Sequence, residues 1–170
     1  MARVFLSLGS NLGDRQRHLD LALERLRAEP AIRLVACSPV YETEPWPEER
    51  MGRDRWYFNS AVEIETGLSP RRLLGLLQRI EAAAGRVRGV ASPPGAYPDR
   101  TLDIDILLYD DRVVSDQDLQ IPHPLLHERR FVLRPLADIA PDVEHPTLFQ
   151  TIREVLESVA DTRAVVPHSP

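Results

Sequence analysis

Apolar residues along the chain recur with two different periods, and each change of period marks a change of element. Arg3 to Leu8 reads as a strand, closed by the turn Gly9-Ser10-Asn11-Leu12-Gly13. Asp14 then offers a good N-cap for a helix in which Leu19, Leu23 and Leu26 return at helical spacing. Ile32 to Ser38 is mostly apolar and predicts a second strand. Pro39, Pro45 and Pro47 punctuate a charged loop running from about Thr43 to Arg55. Tyr57 to Thr66 alternates, with Phe58, Val62 and Ile64 on one side and Tyr57, Asn59, Glu63 and Glu65 on the other, which predicts a half-buried strand.

Ser69-Pro70 opens the clearest helix, with an N-cap serine and proline at the first helical position. Leu73, Leu76, Leu77, Ile80 and Ala84 form its apolar stripe, and Gly85 stops it. Arg86 to Asp99 contains Pro93-Pro94-Gly95 and Pro98 and reads as a long loop, a candidate lid. Thr101 to Tyr109 is a strong strand ending in a turn at Asp110-Asp111. Short extended pieces follow near Val113-Val114 and Leu119 to Ile121, then helical turns expected to be broken by Pro135 and Pro141. A last amphipathic helix is expected to carry Leu148, Ile152, Val155, Leu156 and Val159. The first six elements run β-α-β-β-α-β, the order of a ferredoxin-like split unit, so the fold class is α+β with an antiparallel-rich sheet and a C-terminal extension. With no internal repeat or linker, residues 1–170 are expected to form one domain.

Composition narrows the function. A net charge of −5 argues against nonspecific binding to nucleic acid or an anionic membrane. No apolar stretch approaches the ~20 residues of a membrane helix. A single cysteine, Cys37, cannot form an internal disulfide, sits in an apolar strand as expected core, and fits a cytoplasmic location. All 21 basic residues are arginine. Without lysine there is no Walker-A, protein-kinase or Schiff-base lysine, so any phosphate must be clamped by guanidinium groups.

The sharpest chemical signal is Asp103-Ile104-Asp105. On a strand, residues two apart share a face, so both carboxylates can converge on one or two divalent cations, as in phosphoryl transfer. The competing reading is two solvent-facing aspartates on an edge strand. Carboxylate ligands favour magnesium or manganese over zinc. Arg86, Arg88 and Arg100 bracket the long loop near those aspartates and are placed to close on a polyphosphate. Tyr57 and Asn59 share the polar side of their strand, where an Asn amide suits a heterocycle, and Phe131, Trp46 or Tyr97 can stack on a flat ring. Gly9 to Gly13 lacks the lysine and glycine pattern of a phosphate cradle. His123 and His127 have a zinc spacing that Pro124 argues against, and contact of one of them with a nucleotide is the better reading.

Taken in order, several segments resemble the 6-hydroxymethyl-7,8-dihydropterin pyrophosphokinases of folate biosynthesis. They are Leu8-Gly9-Ser10-Asn11-Leu12-Gly13-Asp14, Tyr41-Glu42-Thr43-Glu44-Pro45, Tyr57-Phe58-Asn59-Ser60-Ala61-Val62, Gln78-Arg79-Ile80-Glu81 with Gly85-Arg86-Val87-Arg88, Arg100 to Asp105, and Ile121-Pro122-His123-Pro124 with Arg129 to Leu133. The resemblance implies a monomeric enzyme that moves pyrophosphate from ATP to the pterin hydroxymethyl group and releases AMP. It implies two Mg2+ ions on Asp103 and Asp105, and a pterin pocket of Thr43, Pro45, Trp46, Tyr57, Asn59 and Phe131. Gln78, Glu81, Ile106, His123 and Arg129 would line the ATP site, with Arg86, Arg88 and Arg100 closing on the phosphates. The chain departs from the family's pattern at Pro98-Asp99, which replaces Gly-Pro and sets a negative charge beside the clamp. It also departs in a longer Arg88–Arg100 stretch, a longer loop before Tyr57, and a third-loop tryptophan whose candidate replacement is Tyr97. The rival classes are a two-metal nucleotidyltransferase and a non-catalytic binding module.

Overall fold

The computed structural model describes residues 1–46, 53–87 and 99–169, so Pro47, Arg88, Pro93-Pro94-Gly95, Tyr97 and Pro98, all named above, lie outside the described residues. β1 (Ala2–Ser10), α1 (Arg15–Ala28), β2 (Ile32–Cys37), β3 (Tyr41–Thr43), β4 (Tyr57–Thr66), α2 (Pro70–Ala83) and β5 (Asp103–Tyr109) follow in order. β1 and β4 lie in the middle of the sheet, β5 flanks β1, β2 flanks β4, and every pair is antiparallel. Each helix thus carries the chain across one intervening strand, which is the ferredoxin-like arrangement. Both helices start as their sequences dictate: the Asp14 side chain accepts the Arg17 N–H at 2.9 Å, and the Ser69 side chain accepts that of Arg72 at 3.4 Å. Gly85, at φ +85°, takes the left-handed turn that ends α2.

β3 was absent from the sequence reading, which placed a loop from Thr43. It continues β2 along the same flank of β4 after Pro39, a residue with no backbone N–H to give. Beyond β5 come a small hairpin of β6 (Val114–Ser115) and β7 (Gln120–Ile121), then α3 (Arg130–Ile139), α4 (Ile152–Ser158) and β8 (Val165–Pro167). β8, also unforeseen, pairs with β3. Pro135 does not break its helix. It lies buried inside α3, where packing of Val132, Leu133 and Leu136 against the sheet outweighs one lost backbone donor. Leu148 and Val159 fall outside α4, which begins at Ile152 behind the N-cap Thr151 and its capping-box partner Glu154 and ends at Ser158.

The core has two parts, one on each sheet face. Leu6, Leu8, Ile64 and Ile104 meet Leu19, Leu26, Leu73 and Leu77 of α1 and α2. On the other face Phe5, Ala61 and Leu107 meet Leu133 and Leu136 of α3 and Ile152 and Val155 of α4. β4 is therefore buried on both sides, not half-buried: α3 covers the Ala61 side, and Glu63, 7% exposed, is paired there with Arg3. Cys37 is exposed rather than core, because Arg33, Val35 and Cys37 of flanking β2 turn outward.

Candidate active site

On β5, Asp103 and Asp105 alternate with buried Ile104 and Ile106. The register sets Asp103 beside Gly9, Asp105 beside Ser7, and Gly9 beside Asn59, so all share one sheet face. Asp103 accepts from Arg86 on Oδ1 and from Arg100 on Oδ2, each at 2.5 Å. Burial pushes its carboxyl up, but the Arg100 and Arg86 guanidiniums outweigh burial and hold it below the usual carboxylate range. Arg86 also donates to Glu81, whose Oε1 accepts the Ile104 N–H at 2.8 Å. Glu81 is 1% exposed and ties α2, Arg86 and β5 together.

Asp105 has a different environment. Among the described residues the imidazole of His123 lies beside it, with Nε2 3.8 Å from Oδ2. Burial and the like charge of Asp103 push the Asp105 carboxyl up to about 7, although 39% of its side chain stays open to the cavity and solvent tempers the effect. His123 Nδ1 accepts the Leu125 N–H at 3.2 Å, which leaves the ring proton on Nε2, facing Asp105. Burial, then Arg129, lower His123 to about 4, so this ring is neutral near pH 7.

Two cavities meet here. The first, about 330 Å³, is lined by Thr43, Glu44, Trp46, Tyr57, Asn59, Arg129 and Phe131, with Arg100, Asp103, Asp105 and His123 at its floor. The second, about 290 Å³, lies around the β5 edge against Leu74, Ile104, Ile106 and the Gln117–Gln120 segment. Asp105, His123 and Pro124 line both. In the first cavity Asn59 Nδ2 donates to Thr43 Oγ1 at 2.6 Å, and the Arg129 guanidinium lies 4.7 Å from the Trp46 ring and 5.7 Å from that of Phe131. Gly9 sits against Asn59, and a Cβ added there would stand 2.8 Å from Asn59 Oδ1.

Residues 5–141 match the family described as 7,8-dihydro-6-hydroxymethylpterin-pyrophosphokinase. The chain belongs to this family. A Methylorubrum extorquens protein named 2-amino-4-hydroxy-6-hydroxymethyldihydropteridine pyrophosphokinase is 46% identical over 156 residues, 92% of each chain. The Bacillus subtilis protein of the same name is 41% identical over 141 residues, 83% of this chain and 80% of that one. A solved Plasmodium falciparum HPPK-DHPS chain superposes with a TM-score of 0.70 over 92% of this chain. It is 17% identical, this chain spans 42% of it, and that likeness bears on the fold alone.

In this pyrophosphokinase-family chain, the residues singled out by sequence separate by cavity. Thr43, Trp46, Tyr57, Asn59 and Phe131 border the first, with Pro45 buried between lining residues Glu44 and Trp46. Ile106 borders the second and His123 both. Arg129, expected beside the nucleotide, is placed in the first cavity between two aromatic rings. Gln78, half-buried on α2, lines neither cavity but sits one helical turn from Leu74, which lines the second. Sequence reasoning missed Leu74 and Asn11. Asn11 Oδ1 accepts the Arg100 N–H at 2.8 Å and its Nδ2 donates to Asp99 Oδ1 at 2.9 Å, so the negative charge of Asp99 is engaged by a neutral amide at the foot of the clamp.

Proposed function

We propose that this chain transfers the pyrophosphoryl group of ATP to the hydroxymethyl group of 6-hydroxymethyl-7,8-dihydropterin, releasing AMP, as a step of folate biosynthesis. The observation that carries the reading is the pair of cavities joined at Asp105 and His123, one built for a flat polar ring and the other for a second ligand. The pterin lies in the first, against Thr43 to Trp46, Tyr57 and Phe131. Asn59 gives one N–H to Thr43 and retains a second N–H and an acceptor oxygen for the ring edge. ATP takes the second, with Ile106 and His123 in contact and Gln78 one helical turn from the lining residue Leu74, while Glu81 holds Arg86 and Arg129 stays with the ring cavity.

The donor set at the junction fits magnesium. Both side chains are hard oxygen ligands, and each Asp103 oxygen, holding one hydrogen bond among the described residues, keeps a lone pair. Asp105 is a carboxylate short of positive charge, and Asp103 and Asp105 would hold the two ions. Bound magnesium neutralises polyphosphate charge as it redistributes in the transition state. Arg86 and Arg100 already converge on Asp103 and meet phosphate oxygens that arrive there, and Arg88 joins the clamp. The hydroxymethyl oxygen attacks the β-phosphorus in line and gives up its proton to solvent, the bond from that phosphorus to the bridging oxygen breaks, and AMP leaves with the bridging oxygen. Glu81 and Asn11 hold the two arginines in place during this step. We assign the whole chain to one catalytic domain, acting as a monomer in the cytoplasm, where a lone thiol such as Cys37 stays reduced. Incubation with ATP, magnesium and the pterin should yield AMP and a pterin diphosphate. Release of pyrophosphate with a nucleotide left on the acceptor would overturn the assignment in favour of nucleotidyl transfer.

A further inference from the structure

Residues 161–168 contribute no side chain to either apolar core, yet they touch both walls of the first cavity. At one end Asp161, whose side chain is 3% exposed, accepts the Arg130 N–H on Oδ2 at 3.0 Å. That N–H belongs to the first turn of α3, between Arg129 and Phe131, and would otherwise lack an intrahelical partner. Oδ1 of Asp161 accepts the Arg163 N–H at 3.1 Å and its guanidinium at 3.2 Å, which bends the chain toward the opposite wall. There the Ala164 N–H donates to Glu44 Oε2 at 2.7 Å, and the Glu44 N–H returns to the Ala164 carbonyl at 3.1 Å. β8 then pairs Val165 with Thr43 and Pro167 with Tyr41, and the His168 ring packs 4.2 Å from Phe58, on the side of β4 turned away from the cavity.

We propose that this segment is a strap that fixes the width of the ring-binding cavity, and that Asp161 is a positioning residue for Phe131 and Arg129. The inference rests on the pterin occupying the first cavity. Charged and backbone hydrogen bonds dominate the strap, so its work is to set the distance between two walls rather than to bury apolar surface. Its ties reach Thr43, Glu44, Arg130 and Phe58, and none reaches the Leu74–Ile106 wall of the second cavity. Loosening it should therefore weaken one ligand and spare the other.

The test measures binding of the pterin and of a nonhydrolysable ATP analogue with magnesium by calorimetry, and kcat and KM for both substrates. The variants are Asp161→Ala, Asp161→Asn and Ala164→Pro, the last removing the N–H given to Glu44, each first checked for a cooperative melt. For Asp161→Ala and Ala164→Pro we expect pterin Kd and KM to rise about tenfold, with the ATP analogue within about twofold and kcat at saturating pterin largely kept. Asp161→Asn retains an acceptor for the Arg130 N–H and should recover most of the loss. Unchanged pterin binding in both disruptive variants, or equal loss for both ligands, overturns the strap. An intact chain that takes no pterin overturns the reading of the cavity itself.

Discussion

One face of the sheet is finished in two ways. Toward one end Phe5, Ala61 and Leu107 lie under α3 and α4 and are sealed by Leu133, Leu136 and Ile152. Toward the other end the same three strands present Ser7, Gly9, Asn59, Asp103 and Asp105, and only the margin of α3, at Arg129 and Phe131, borders the cavity left there. The apolar half closes because covering it removes hydrocarbon from water. The polar half cannot be closed the same way, since a helix packed there would strand two carboxylates without solvent or enough countercharge. What distinguishes fold from function in this chain is thus the choice of five or so side chains on shared strands. The open half carries a standing electrostatic cost that a bound cation is suited to relieve.

The largest expected effects lie in the open half. Asp103→Ala and Asp105→Ala should each lower turnover by about a thousandfold or more while far-UV circular dichroism stays native. Near-normal turnover with magnesium supplied would break the contrast. In the closed half, Leu133→Ala should lower unfolding free energy by about 2–5 kcal/mol, read from urea midpoints, with activity per folded molecule preserved. Next come the ring contacts: Asn59→Ala should weaken pterin binding about tenfold, roughly 1.4 kcal/mol, and leave the ATP analogue nearly unchanged. Gly9→Ala should reproduce that selective loss, because its Cβ would displace the Asn59 amide from 2.8 Å away. Equal loss of both ligands in either variant would count against the cavity assignment.

The smallest effect concerns pH. His145, 3% exposed beside the closed half, is lowered from 6.5 by burial and then by His127. The unfolded chain therefore binds that proton more readily than the folded one. Its stabilising contribution is complete above pH 6.5 and is lost as pH falls below it. From about pH 8 down to about pH 5 the difference in urea midpoint between His145→Gln and the parent chain should shift in favour of the variant. Identical slopes would remove His145 from that dependence.

Much of this was legible in the chain's pattern because long, strongly periodic segments fix their own geometry. Tyr57 to Thr66 and Ser69 to Ala84 lie where alternation and a helical stripe predict, and Asp103 and Asp105 share a face because a strand has period two. What periodicity does not carry is what covers a face. The polar side of β4 read as solvent-facing, yet α3 lies over its middle. Cys37 read as core, yet its flanking strand leaves that side exposed. β3 and β8 are three residues each, too short for a pattern, and both come from pairing, β3 with β4 and β8 with β3. Asn11 looked like a turn residue, and its hold on Arg100 spans 89 positions of sequence, so only the closed sheet reveals it. The two aspartates looked equivalent in sequence. Their difference comes from Arg86 and Arg100 both choosing Asp103.

That difference is most directly tested with Asp105→Asn, which keeps the shape and removes the charge. Because the folded state raises this carboxyl from 3.8 to about 7, its own contribution to the parent chain's stability is lost across that window as pH rises, and the variant has no such contribution to lose. At about pH 8 without divalent cations we expect Asp105→Asn to be more stable, by of order 1 kcal/mol once solvent screening is allowed for, and to be inactive with ATP, magnesium and pterin supplied. A variant that melts lower than its parent, or that turns over at the parental rate, would contradict a carboxylate held uncompensated for a cation.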